Sequence, residues 1–150
     1  IKKNPKSQAI HLPVNIGKLY YLHGYEQHKN IVLDLIDYAT PGVKELVVTD
    51  APARVEVVLQ KYIRNTGANI EKTEPEGLVL HLINLTGFNG NTYFNPLPVY
   101  DLHFTIASEK KPSSVFSMIH DKKVDFSWQD GKLDLTVGKL EQADGIIITW

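Results

Sequence analysis

Two periods divide the chain. Between Glu26 and Ala39, the apolar residues Ile31, Val32, Leu35, Ile36 and Ala39 recur at the three-and-four spacing that lines one helix face, while Lys29, Asn30 and Asp37 fall largely elsewhere. The spacing predicts a helix over 26–39. Thr40-Pro41-Gly42 should end it, because a proline disfavours helical backbone in the residue before it and cannot extend the hydrogen-bond ladder. From Val43 onward the period becomes two. Val55, Val57 and Leu59 alternate with Glu56 and Gln60 within 54–63. Leu78, Leu80 and Leu82 share one face, as do Tyr100, Leu102, Phe104 and Ile106. Val124, Phe126 and Trp128 face Leu133, Leu135 and Val137 across Gln129-Asp130-Gly131-Lys132, where the Asp-Gly step suits a tight hairpin. Ile146-Ile147-Ile148-Thr149-Trp150 forms a last strand.

Upstream of the helix the pattern is weaker. Residues 1–10 are polar and basic without periodicity and read as a loose lead-in. The run from Ile10 to Tyr21 contains Pro13 and Gly17 and predicts one short strand at most. The expected fold class is therefore mainly β: an antiparallel β-sandwich of about seven or eight strands with a short N-terminal strand and helix. Residues 1–45 are expected to be the tail of an α/β domain and 46–150 the sandwich; no internal repeat or low-complexity run is present.

Composition narrows the function. Sixteen basic against seventeen acidic residues give a net charge of -1, without the basic excess that a phosphate backbone demands, so nucleic acid is not an expected partner. No apolar stretch is long enough to span a bilayer as a helix, so no membrane partner is expected. The absence of cysteine removes disulfides, thiolate metal sites and cysteine nucleophiles, and leaves a periplasmic or a cytoplasmic bacterial setting equally open. The chain begins at Ile1, without a signal-peptide pattern, and reads as a piece of a longer polypeptide.

Three stretches carry a family resemblance. Gly17-Lys18-Leu19-Tyr20-Tyr21-Leu22-His23-Gly24-Tyr25, followed by Glu26 and His28, resembles the end of the α/β domain in multidomain glycoside hydrolases of the β-galactosidase type. Thr49-Asp50-Ala51-Pro52, Val55-Glu56-Val57 and Leu80-His81-Leu82-Ile83-Asn84-Leu85-Thr86-Gly87 resemble the start of the C-terminal β-sandwich of the same enzymes. The closing run, from Val124-Asp125-Phe126-Ser127-Trp128 to Gly145-Ile146-Ile147-Ile148, is similar to glycosidase accessory sandwiches. The resemblance implies a trimerisation-like α/β domain behind a catalytic TIM barrel that this chain does not contain. It implies a non-catalytic, structural C-terminal piece, with no catalytic residue to carry over and no cofactor. The implied partners are the preceding domains of a parent glycoside hydrolase, carbohydrate, and further copies of the parent in an oligomer.

Candidate chemistry is sparse. Asp34 and Asp37 are three apart on the helix, and Glu26 lies near Asn30. A glycosidase needs two carboxyl groups flanking its scissile bond, yet charged helix positions are ordinarily a solvated flank, which is the preferred reading. His23 lies near His28, and His81 and His103 both fall on strands where they could pair across neighbouring strands. A zinc site wants three or four ligands at tight spacing, and no such set stands out. The loop Gly87-Phe88-Asn89-Gly90-Asn91-Thr92-Tyr93-Phe94-Asn95-Pro96 mixes aromatics with amides. Phe88, Asn89, Asn91, Tyr93 and Phe94 are candidate carbohydrate contacts, because ring faces stack on sugars while amides bond hydroxyls. The competing and preferred reading has Phe88, Tyr93 and Phe94 covering the edge of the core. Asn84-Leu85-Thr86 matches a glycosylation sequon and is read as a chance match. Tyr20, Tyr21 and Tyr25 suit an interdomain or subunit contact or packing on the helix. Trp128 and Trp150 read as core.

Overall fold

The computed structural model describes residues 2–4, 7–40, 46–63 and 75–150, and side chains from Ile10 on. The chain divides into two compact units, Ile1–Lys44 and Glu45–Trp150.

In the first unit, β1 (Lys2–Asn4) pairs antiparallel with β2 (Ser7–Ala9), where a loose lead-in was expected. Next comes α1 (Ile16–His23) in place of the expected short strand. Its ends explain the correction. The Asn15 side chain accepts a hydrogen bond from the Lys18 N–H, and Gly24, at φ 64, closes the helix with its N–H on the Tyr20 carbonyl. Gly17 falls in the first turn, where its flexibility does little harm, and Pro13 lies before the cap. The second helix, α2 (Glu26–Ala39), has the predicted bounds and ends at Thr40, whose N–H and hydroxyl both donate to the Ile36 carbonyl. Pro41 and Gly42 lie outside the described residues. No residue of either helix is buried. The α2 stripe of Val32, Leu35, Ile36 and Ala39 instead lines an open apolar groove with Ile10 and Leu12.

The second unit is a sandwich, with nine strands in two antiparallel sheets among the described residues. One sheet has the order β3 (Val47–Thr49), β6 (Val99–Ala107), β10 (Lys132–Leu140), β9 (Phe126–Gln129). The other runs β4 (Val55–Tyr62), β5 (Gly77–Asn84), β11 (Ala143–Thr149), β7 (Ser114–Ser117), β8 (Lys122–Lys123). The core lies between them. Leu80, Leu82, Val115, Ile146 and Ile148 come from the five-stranded sheet, and Leu102, Phe104, Ile106, Leu133 and Leu140 from the other. Burying each such side chain contributes about 1.5–3 kcal/mol. Trp128 and Trp150 pack against this core, their indole N–H groups donating to the carbonyls of Ser108 and Pro75.

The predicted hairpin forms, with Lys132 opposite Gln129 and both turn residues, Asp130 at φ 53 and Gly131 at φ 75, in the left-handed region that such turns require. One face assignment fails. Tyr100 is 59% exposed, while Leu102 is buried. Asp101, at φ 52, rotates the strand between them and shifts the alternation by one residue, so that Val99 rather than Tyr100 packs on the core. The paired strand shows the same slip, with Val137 and Leu140 both buried.

Candidate functional site

The loop after β5 begins from a buried anchor. Asn84 is only 3% exposed, and its Nδ2 donates to the carbonyls of Leu97 and Glu141 at 2.8 and 2.7 Å. Its Oδ1 accepts from the Thr86 N–H at 3.1 Å and the Thr86 hydroxyl at 2.8 Å. Thr86 Oγ1 in turn accepts from the Leu97 N–H at 2.9 Å, closing the loop at its base. The Asn-Leu-Thr motif is therefore an internal lock, and a glycan on Asn84 would displace three hydrogen bonds. Sequence reading missed this role, although an Asn two residues before a Thr is also the signature of a side chain that bonds backbone just ahead of it.

Above the lock the chain folds back on itself. Phe88 and Tyr93 form an isolated antiparallel bridge, and their rings stack with centroids 4.9 Å apart. The Phe94 N–H donates to the Gly87 carbonyl at 2.9 Å, and a Cβ at Gly87 would lie 2.1 Å from the Phe94 oxygen, so only glycine fits there. Asn89 Oδ1 accepts from the N–H groups of Asn91 and Thr92 at 3.1 and 2.9 Å. Arg54, from the turn before β4, donates to the Phe88 carbonyl at 2.7 Å.

This geometry separates the five candidates. Phe88 is half-buried beneath the loop, and Asn89 is committed to backbone. Asn91 is exposed, and Tyr93 and Phe94 are each 63% exposed. Tyr93 and Phe94 therefore do not cover the core edge; neither belongs to the hydrophobic residues packed against it.

The other polar features sit elsewhere. His81 belongs to the five-stranded sheet and His103 to the four-stranded one, so the cross-strand pair considered above does not form. His103 Nδ1 is 2.9 Å from the Thr136 hydroxyl, and both line a shallow cleft of about 330 Å³ with Thr105, Asp125, Ser127 and Asp134 on the outer face of the four-stranded sheet. His23 stacks on Tyr25 at 5.7 Å, and Tyr25 lies against His28 at 5.6 Å. Asp34 and Asp37 are exposed, as a solvated flank should be. Among the described residues no group of three His, Cys, Asp or Glu side chains is placed to hold a metal ion.

A second buried polar cluster was not foreseen. Asp144, on β11, accepts from the Ser117 hydroxyl and from the N–H groups of Ile119 and Gly145, the latter two at 3.1 and 2.7 Å. The carboxylate pins the turn after β7, where the Ser117 hydroxyl also accepts from the His120 N–H at 3.2 Å. On the surface, Lys139 and Glu141 pair directly. The hydrogen bond and charge of each partner hold the Glu141 carboxyl below its ordinary range and the Lys139 ammonium above its own.

No family model matches the chain, and no curated protein matches it. Among solved structures it is similar to α-L-fucosidase isoenzyme 2 from Paenibacillus thiaminolyticus, with a TM-score of 0.70 and 16% identity over 91% of this chain and 20% of that one. A cycloisomaltooligosaccharide glucanotransferase from Paenibacillus sp. aligns at 16% identity over 81% of this chain and 20% of its own, with a TM-score of 0.43. The chain thus spans one fifth of the length of each neighbour. At this identity the likeness to the fucosidase establishes a shared fold, one that occurs as part of a glycoside hydrolase. The fucosidase is not a β-galactosidase, and the β-galactosidase type expected from the sequence motifs is not upheld. The first of those motifs lies on α1 and the start of α2, and the others lie on strands and turns of the sandwich.

Proposed function

We propose that the chain is a non-catalytic accessory domain of a glycoside hydrolase-like protein, with a structural role in packing against neighbouring domains or in holding copies together. The observation that carries the proposal is the alignment of 91% of this chain with one fifth of an α-L-fucosidase. Catalytic carboxylates would then lie in another part of the same polypeptide.

Two features of the surface support a packing role. Across the five-stranded sheet, Val79, Ile147 and Phe116 run in register between Gln60 and Lys123, with Val58, His81 and Gly145 in one neighbouring row and Ile83 beside Glu56 in the next. These positions point away from the core, and Met118 adds its side chain over Gly145. An outer face this apolar is the kind that another layer covers. The helices of Ile1–Lys44 likewise bury none of their residues, as expected if 1–45 completes an α/β domain built largely from other parts of a parent chain, with 46–150 as the separate sandwich.

An antibody against the chain tests this in source cells. The expected result is a native polypeptide several times larger than 16.9 kDa, whereas a band near that mass would remove the accessory role. Hydrolysis of aryl glycosides by the purified chain would remove the non-catalytic one.

A further inference from the structure

We infer that the tip of the 87–96 loop is a binding platform for the ring face of a neutral pyranose, formed by Tyr93 and Phe94 with the Asn91 amide, while Phe88 and Asn89 are its scaffold. The accessory-domain reading supplies the biological setting; the contact chemistry stands on the loop itself.

Three observations carry the inference. Both rings are held open to solvent on a loop that is locked at its base by Asn84 and Thr86 and braced by Arg54, so that stacking a ligand would cost little ordering. The backbone that carries them is fixed by the Phe94 N–H on the Gly87 carbonyl and by Asn89 on the N–H groups of Asn91 and Thr92. The side-chain amide of Asn91 makes no hydrogen bond among the described residues and stands two positions from Tyr93, as the hydroxyls of a sugar would need.

Charge decides the ligand class. From Leu82 to Tyr100 the sequence contains no Asp, Glu, Lys, Arg or His, in a chain that is 22% charged. A nucleic acid or an anionic lipid surface would call for several cations here, and Arg54, which the fold brings to the loop, is bonded to the Phe88 carbonyl. A neutral polyol, with apolar C–H faces and uncharged hydroxyls, matches exposed rings interleaved with amides.

The test is NMR of the complete 150-residue chain titrated with D-glucose, D-galactose and L-fucose into the millimolar range, with retention on dextran and galactomannan affinity gels as the polymer readout. Shifts confined to Asn91, Tyr93 and Phe94 are expected. Tyr93→Ala and Phe94→Ala should each weaken binding about tenfold without lowering the melting temperature. Phe88→Ala and Asn89→Ala should lower the melting temperature instead. If Tyr93→Ala disorders the loop, Phe94→Ala carries the test, because its ring stacks on no other.

Loop signals that stay silent with all three sugars and no retention on either polymer overturn the inference. So does unchanged binding by both alanine variants, or a loop that responds only to another domain of a parent polypeptide. The two readings fail separately. A 16.9 kDa native band with sugar-dependent loop shifts removes the accessory role and keeps the platform, and a larger band with a silent loop does the reverse.

Discussion

The outer faces of the two sheets follow different rules. On the four-stranded sheet the polar residues His103, Thr105, Ser127, Asp134 and Thr136 point outward beside the exposed Val48 and Tyr100, while Phe104, Ile106, Leu133 and Leu135 point in, with the alternation shifted at Asp101. Thr105 donates to Asp134 at 2.6 Å, and His103 meets Thr136, so this face satisfies its own polar groups and needs only water. On the five-stranded sheet the apolar residues continue onto the outside. β11 reads Ile146-Ile147-Ile148, in which Ile146 and Ile148 are buried in the core and Ile147 lies opposite Val79 and Phe116 on the far side. Two sheets sharing one core thus differ on the outside: paired polar residues occupy the middle of one, and an apolar strip of Val79, Ile147 and Phe116 crosses the other between Gln60 and Lys123.

The shared core gives the reference for breaking that comparison. Phe104→Ala and Leu80→Ala, one from each sheet, should destabilise by about 3–5 and 2–5 kcal/mol in urea unfolding, because both leave a cavity in the same layer. A second transition in either variant, or a changed slope against urea, would show that the sheets do not unfold as one unit.

Smaller losses, of about 1–3 kcal/mol, are expected from Asp144→Ala and Asn84→Ala, which orphan buried donors in the turn after β7 and at the loop base. The Asn84 variant should also disturb the NMR signals of residues 86–97. In a glycosylating host the folded chain should carry no glycan at Asn84; a modified, folded protein would contradict the lock.

Substitution on the outer faces should move stability by no more than about 0.5 kcal/mol. The informative readout is association. Ile83→Lys should reduce hydrophobic-dye binding and self-association of the chain, while Thr136→Lys on the other sheet should leave both unchanged. Equal effects from the two would erase the distinction between the faces.

The smallest expected effect belongs to the exposed Lys139 and Glu141 pair. The Glu141 value is lowered in the fold, so its contribution is present above the ordinary glutamate range and is lost as pH falls through the lowered value. The Lys139 value is raised, so its contribution is complete below the ordinary lysine range and is lost as pH rises through the raised value. Glu141→Gln should therefore leave the melting temperature without pH dependence across neutral pH and alter its acid limb and, through the lost partner of Lys139, its alkaline limb.

Much of this was legible along the chain and some was not. The helix at Glu26–Ala39 and the Asp130-Gly131 hairpin were readable because each depends on neighbours within a few residues. The first helix was overlooked although its signals, Asn15 before and Gly24 after, stood in the sequence; Pro13 and Gly17 drew more weight than the caps deserved. The strands β3, β7 and β8 are two to four residues long, too short to show a period. For the candidate site, the five residues of the loop were named in advance, and their division into contact and scaffold was not. Asn89 is spent on the N–H groups of Asn91 and Thr92 inside the loop, while the loop's footing depends on Arg54 and on the carbonyls of Leu97 and Glu141, contributed by other segments.

The sequence by itself determined the period-two strands, the one strong amphipathic helix, the tight turn, and a neutral loop mixing aromatics with amides, because local sterics and side-chain alternation act over short separations. Tertiary structure decided the rest. It placed His81 and His103 in different sheets, turned Tyr100 outward through the left-handed Asp101, made a sequon into a buried lock, and left one sheet face apolar on its outer side. Each of these depends on which distant strand lies alongside, and the free energy that selects the partner is the burial of the whole core rather than any property of the residues in a row.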